Sequence, residues 1–223
     1  MTTAVEQDLF SFGICNPEKH VERITYEQTK PFILGIHYAR RMPTVQYAFG
    51  LFDGGYLVGV VTYGQPATPS IGKGLAGIEN KHNVLELNRL VILPTYEKKN
   101  AASYLVSHSL KMLPPHTFVV SYADVGGWGH IGHIYQATNF LYTGMTKRRT
   151  DIISKYGHAR HYEKGDTERQ VRTEKYRYVY LCGDKRERRK MRKEMKWPVI
   201  SEYPKGVSRR YDPANTVMLP QIF

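Results

Sequence analysis

The sequence predicts a mixed α/β (α+β) protein with a basic carboxy-terminal extension, and three observations carry that expectation. Two strand-like runs are joined by Phe52-Asp53-Gly54-Gly55, the composition of a tight antiparallel turn. Two further apolar strand patterns, Val84–Leu93 and Phe118–Asp124, are separated by a helical stretch. The charge is unevenly placed: up to Gly144 there are 11 Lys+Arg against 10 Asp+Glu, and from Met145 onward 21 against 10.

Taken in order, Lys30–Arg41 has the pattern of a helix, with Pro31 in its first turn and Pro43 beyond its end. Val45–Leu51 and Tyr56–Tyr63 are the arms of the hairpin. The stretch from Gly64 to Asn83 is rich in Gly, Pro and Ser, has no sustained period, and reads as a long loop, with Lys73 between glycines as a phosphate contact. Val84–Leu93 is the clearest central strand, and a period of two puts Leu85, Leu87, Arg89 and Val91 on one face. Pro94 ends it. Ala101–Leu113 follows as a helix closed by Pro114-Pro115, with Lys98, Lys99 and Asn100 at its mouth, where free amides can meet a phosphate. In Phe118–Asp124 the residues Phe118, Val120 and Tyr122 share a face, and Asp124 emerges at its rim. A Gly/His-rich loop holding Trp128 comes next, then a short helix bearing Tyr135 that ends at Asn139-Phe140, then a strand from Leu141. In the basic third, Lys175–Leu181 alternates cationic with aromatic or apolar residues, and Asp184–Lys196 reads as an Asp-capped helix with Met191 and Met195 one turn apart.

Composition narrows the function classes. A chain of 223 residues with 41% hydrophobic residues can bury a sizeable core. No apolar run approaches the roughly 20 residues of a membrane span, and Met1–Glu6 lacks the basic start of a signal peptide, so a cytoplasmic protein with no membrane partner is expected. Cys15 and Cys182 are far apart with no Cys-x-x-Cys spacing, which implies buried thiols rather than a disulfide or a zinc knuckle. His130 and His133 have no acidic or cysteine ligand at recognisable spacing, so no metal is assigned. The net charge of +12 favours nucleic acid as partner, ahead of acidic lipid or a merely solvated face. The candidate contacts are Arg40, Arg41, Trp128, Lys147, Arg148, Arg149, Arg188, Arg189, Arg192 and Lys193, with Trp128 offering a flat surface for a base.

The candidate chemistry lies earlier. Arg89 stands where an apolar residue is expected and needs a partner: Glu86 or Asp124 in an ion pair, or an anionic substrate group. Asp124 at a strand end and His37 near a helix end are candidate bases, and Tyr135 stands one turn before Asn139-Phe140.

Tyr135, three residues, then Asn139-Phe140 resembles the last motif of the GNAT acyltransferases, in which that tyrosine protonates the departing thiolate. The order of elements is similar to the GNAT core, and the resemblance implies a GNAT-like mixed, mostly antiparallel central sheet flanked by helices. Within that superfamily, His37-Tyr38-Ala39-Arg40-Arg41-Met42-Pro43, Glu86-Leu87-Asn88-Arg89-Leu90, Ser121-Tyr122-Ala123-Asp124 and Ile134-Tyr135-Gln136-Ala137 resemble the Mom proteins of Mu-like phages. These segments lie in the first two-thirds of the chain.

The resemblance implies a catalytic core over 1–144, a DNA-binding part over 145–223, a double-stranded DNA substrate in a bacterial host cytoplasm, and conversion of adenine to its N6-carbamoylmethyl derivative against host restriction. It places the donor at Leu90, Val91, Ile92, Lys98, Lys99, Asn100 and Ala101. The run Leu93–Ala102 has no glycine, unlike the usual pyrophosphate turn, so an aminoacyl-tRNA (glycyl) stands beside acyl-CoA as donor, with tRNA then a second partner. Two other readings remain: a non-catalytic nucleic-acid-binding protein on this fold, and an ordinary N-acetyltransferase. The oligomeric state is open, a dimer included.

Overall fold

The computed structural model describes residues 19–96, 98–125, 129–152 and 169–206. Seven strands form one sheet in the order β1-β2-β3-β4-β5-β9-β6: β1 (His20–Arg23), β2 (Tyr47–Asp53), β3 (Tyr56–Gly64), β4 (Val84–Ile92), β5 (Phe118–Asp124), β6 (Leu141–Met145) and β9 (Lys175–Leu181). The ladders β1–β2, β2–β3, β3–β4 and β6–β9 are antiparallel, while β4–β5 is parallel, over Val84–Glu86 against Phe118–Val120. β7 (Arg149–Ile152) and β8 (Arg169–Arg172) make a separate antiparallel pair. The expected mixed, mostly antiparallel fold is present. The chain divides into two compact units, residues to Val120 with Tyr180–Lys196, and Ser121–Val179 with residues from Trp197.

In the first unit the hairpin turn is as expected. Gly54 and Gly55 take φ of 58° and 82°, the left-handed values of a two-residue turn whose twist matches its strands. Helices cover both faces of β2–β4. On one face Val60, Val91 and Ala48 pack with Ile24, Phe32 and Ile33. On the other, the Tyr63 hydroxyl meets Ser109 of α3 (Ala101–Lys111) at 2.6 Å.

Two expectations for this unit are corrected. The helix expected over Lys30–Arg41 is a short α1 (Tyr26–Lys30), opened by a Thr25–Gln28 capping box and continuing as a π-helix over Pro31–Ile36. Pro31 has no N–H to give the α ladder, and the wider coil ends when the His37 amide donates five residues back to the Phe32 carbonyl. The expected loop 64–83 holds a helix, α2 (Pro69–Asn80), followed by a 3-10 turn over Lys81–Asn83. Pro69 opens α2 and a kink at Gly77 breaks it; burial of Leu75 and Ala76 outweighs its poor propensity.

The carboxy-terminal helix α5 (Lys185–Glu194) forms as expected. Asp184 accepts from the amides of Arg186 and Glu187, and the Glu187 carboxylate returns to the Asp184 amide. Met191 is its buried anchor. In the second unit, α4 (His133–Ala137) carries Tyr135 and stops where Asn139 turns left-handed, φ 61°, so that the Phe140 amide reaches the Tyr135 carbonyl at 3.0 Å.

Met191→Ala should lower stability by about 2–5 kcal/mol in denaturant unfolding, because it removes a fully buried side chain. Lys190→Ala, on the exposed side of the same helix, should stay within about 0.5 kcal/mol of the parent.

Candidate active site

In the first unit, geometry is set by one irregularity. β3 and β4 pair as Val61 with Leu90 and Thr62 with Arg89, but then Tyr63 with Leu87, leaving Asn88 as the extra residue of a β-bulge. Residues directly opposite share a face, so the bulge puts Arg89 with Thr62 and Leu87 with Tyr63. The expected common face for Leu85, Leu87, Arg89 and Val91 is therefore corrected: a period of two does not survive an inserted residue, and Arg89 and Val91 turn to the π-helix side.

His37, the first residue after the π-helix, is buried. Its Nδ1 accepts from the Ala39 amide at 3.0 Å, which leaves Nε2 to carry the proton of the neutral ring. Burial, reinforced by the Arg89 charge, pushes its pKa down to about 4. Arg89 has its own pKa lowered by burial. Its N–H groups meet carbonyls, rather than either of the two carboxylates named as alternatives to an anionic substrate group: Nε and Nη2 donate to Arg41 O at 3.3 and 3.1 Å, and Nη1 to Asn88 O at 2.6 Å. No ion pair to Arg89 forms among the described residues; Glu86 accepts from the Ala67 amide instead. The Tyr38 ring lies tilted by 30° against that of His37, centroids 4.2 Å apart, and Arg40 and Arg41 are exposed.

Of the expected donor residues, Leu90, Val91 and Ile92 lie in β4, and Lys98, Lys99, Asn100 and Ala101 lead into α3. Asn100 takes the left-handed conformation, φ 61°, in this glycine-free turn. Lys98 is tied at 2.6 Å to Asp53, which also accepts from Tyr96 at 2.5 Å. The Lys98 ammonium, then Tyr96, hold the Asp53 pKa down, while burial and Asp53 push Tyr96 up to about 12. Lys98 is thus a latch on the hairpin turn although, like Lys99, it is exposed.

In the second unit, Asp124 ends β5 with Oδ1 accepting from Thr173 at 2.8 Å and Oδ2 3.7 Å from Lys175. Its carbonyl accepts from the His130 amide at 2.9 Å, and burial lowers the His130 pKa against the Asp124 charge. Tyr135 lies between Phe140 and Tyr178, each ring 5.3 Å away. Tyr178 donates to the Ile131 carbonyl, and Gln136 Nε2 donates to Ile131 O, Tyr178 OH and Pro204 O at 3.0–3.2 Å. Sequence reasoning gave no site role to Gln136, Thr173 or Lys175, although Gln136 lies in a quoted motif and Lys175 opens an alternating strand; Thr173 is marked by neither.

Among the expected nucleic-acid contacts, Trp128 and the Arg149 side chain lie outside the described residues. Lys147 and Arg148 are exposed. On α5, Lys185, Arg186, Arg189, Lys190 and Lys193 border one surface depression on the side away from Met191. Arg188 and Arg192 are exposed but off this face, and Arg188 Nε turns back to the Asp184 carbonyl at 3.4 Å. No three His, Cys, Asp or Glu side chains that could hold a metal ion come together among the described residues, and no helix there is long and apolar enough to cross a membrane.

Residues 18–205 match the model of the Mom protein family. The chain is 27% identical over 212 residues to the methylcarbamoylase Mom of Escherichia phage Mu, with 86% of each chain covered. Its structure is similar to a GNAT-family acetyltransferase from Bacillus cereus at 12% identity, TM-score 0.44, covering 75% of this chain and 99% of that one. It is also similar to NAA60 of Arabidopsis thaliana, solved with acetyl-CoA, at 13% identity, TM-score 0.47, covering 74% and 99%.

Burial of His37 makes stability depend on pH. The unfolded chain takes up its proton near pH 6.5 and the folded one only near 4, so stability falls as pH drops across that window and levels off below it. In a proton NMR titration His37 should show a midpoint near 4, and His37→Gln should flatten the loss of stability between those values.

Proposed function

This chain belongs to the Mom protein family, and on that premise we propose that it is an enzyme that modifies adenine N6 in phage DNA, forming the N6-carbamoylmethyl derivative that blocks host restriction. The observation that carries the reading is the family match across residues 18–205, joined by a relative whose name is methylcarbamoylase. The lone pair of adenine N6 is delocalised into the ring, so the amine needs both a base and a well-placed electrophile, and the target base must leave the helical stack.

Four residues take roles. Asp124, oriented by Thr173 and Lys175, accepts the N6 proton. Tyr135 protonates the leaving group or polarises the donor carbonyl. Arg89, whose donors meet carbonyls of Arg41 and Asn88, supplies positive charge to an anionic or carbonyl group of the donor. His37, held neutral, orients that group or serves as a second base. The donor is an acyl-CoA or a glycyl-tRNA, bound along Leu90–Ile92 and at Lys99–Ala101. A glycyl group on N6, C(O)CH₂NH₂, has the same atoms as the carbamoylmethyl group, CH₂C(O)NH₂, so a rearrangement joins them without gain or loss. That isomerism favours the glycyl donor.

Double-stranded DNA is the proposed partner of α5, whose cationic side is set by burial of Met191 on the other.

Nucleoside mass spectrometry of plasmid DNA co-expressed with the protein should detect modified deoxyadenosine. Asp124→Ala and Tyr135→Phe, if folded, should each reduce it about 10²–10⁴-fold. An unmodified pool with soluble protein and phage partners supplied would instead favour a non-catalytic binder.

Neutralising Lys185, Arg189 and Lys193 together should weaken duplex binding and flatten the slope of log K against log salt by about 0.9 for each phosphate no longer neutralised. The same slope as the parent would mean that this side of α5 is only solvated.

A further inference from the structure

The Asn88 side chain fills a place that none of the four catalytic roles requires. Its Oδ1 accepts from the buried Thr62 hydroxyl at 2.6 Å, and its Nδ2 donates to the Thr44 carbonyl at 2.9 Å. Only the amide end can face a carbonyl, so this orientation is fixed by chemistry. The segment it grips is pressed close: a Cβ on Gly64 would lie 1.8 Å from Thr44 O, and the Gln46 amide donates to Tyr63 O at 2.8 Å. Three residues before Thr44, the Arg41 carbonyl takes two guanidinium donors of Arg89, and the Asn88 carbonyl takes a third.

We propose that Asn88 is a positioning residue: by occupying the β4 bulge and tying Thr62 to Thr44, it holds the Arg89 guanidinium on the Arg41 carbonyl. The bulge chooses the face on which Arg89 emerges, and the amide fixes the strap that carries the Arg41 carbonyl. Without that strap Arg89 keeps its charge but has rotamers to explore, and a charge placed an ångström off loses much of its hold on a reacting group. Its importance to the reaction rests on the role proposed for Arg89; its importance to geometry does not.

The test therefore has two readouts on the full chain. The first is the His37 titration by NMR. Besides Arg89, its surroundings hold Tyr38 against the ring, with Arg41 and Glu86 acting on Arg89. Asn88→Ala should move the His37 midpoint upward, towards the value found in Arg89→Ala. The second is adenine modification, which should fall at least tenfold in Asn88→Ala while duplex affinity stays within about twofold, since Asn88 bonds to Thr62 and Thr44 and not to phosphate. If Asn88→Ala does not fold, Thr62→Val removes the hydroxyl that Asn88 accepts from and should shift both readouts in the same direction.

A parental His37 midpoint in a folded variant overturns the proposal whatever the activity. A shifted midpoint with full modification overturns the link to the reaction. Absence of modification in the parent protein would defeat the functional reading, and the titration would still decide whether Asn88 positions Arg89.

Discussion

The side chain of Arg89 must emerge on one side of the sheet and not the other, and the amino-terminal unit depends on that. Behind β3 and β4 lies α3, with Leu105 and Val106 buried and Tyr63 pointing into the layer. An arginine there would be a cation among hydrocarbon with nothing to pair with, a cost of several kcal/mol. One inserted residue avoids this. With Asn88 bulged out, Leu87 and Leu90 keep the α3 side with Tyr63 and Val61, and Arg89 turns towards the π-helix terminus, where main-chain carbonyls are free to receive it.

Carbonyls and carboxylates do different things for a guanidinium. A carboxylate cancels its charge, as Asp53 does for Lys98. Carbonyls satisfy the N–H groups and leave the positive field in place. Burial is the main cause that keeps His37 neutral, and the remaining Arg89 field adds to it, since a nearby cation opposes protonation. The same unit thus contains one cation paired with a carboxylate and another whose N–H groups meet main-chain carbonyls, told apart by the acceptor each one meets.

Much of this is legible in the sequence. The positions of β2 to β6 and β9, the Gly54-Gly55 turn, α3, the Asp184 cap and the stop at Asn139 follow from short-range chemistry that a few residues specify, whereas β1, β7 and β8 carry no such signal. The misreadings share a cause in tertiary contact. Gly and Ser between residues 69 and 80 argue for a loop until burial of Leu75 and Ala76 is added. Arg89 stands out as anomalous in its strand, but its face depends on a register slip at which Asn88 hints only as a poor strand former. The carbonyl partners of Arg89 and the Asp53 latch on Lys98 join residues far apart in the chain, and no local pattern announces them.

The crowding of cations on α5 also shapes how the molecule responds to its solvent. Lys185, Arg189 and Lys193, and likewise Arg186 and Lys190, stand one helical turn apart, so like charges repel along the face that Met191 and the Asp184 cap hold outward. Small counterions soften that repulsion within a Debye length. Rising ionic strength therefore tightens the isolated helix while it loosens any polyanion bound there, and the two effects pull against each other in the same buffer. A phosphate backbone laid along the face does for α5 what salt does, so the helix is at its firmest either bound or in brine.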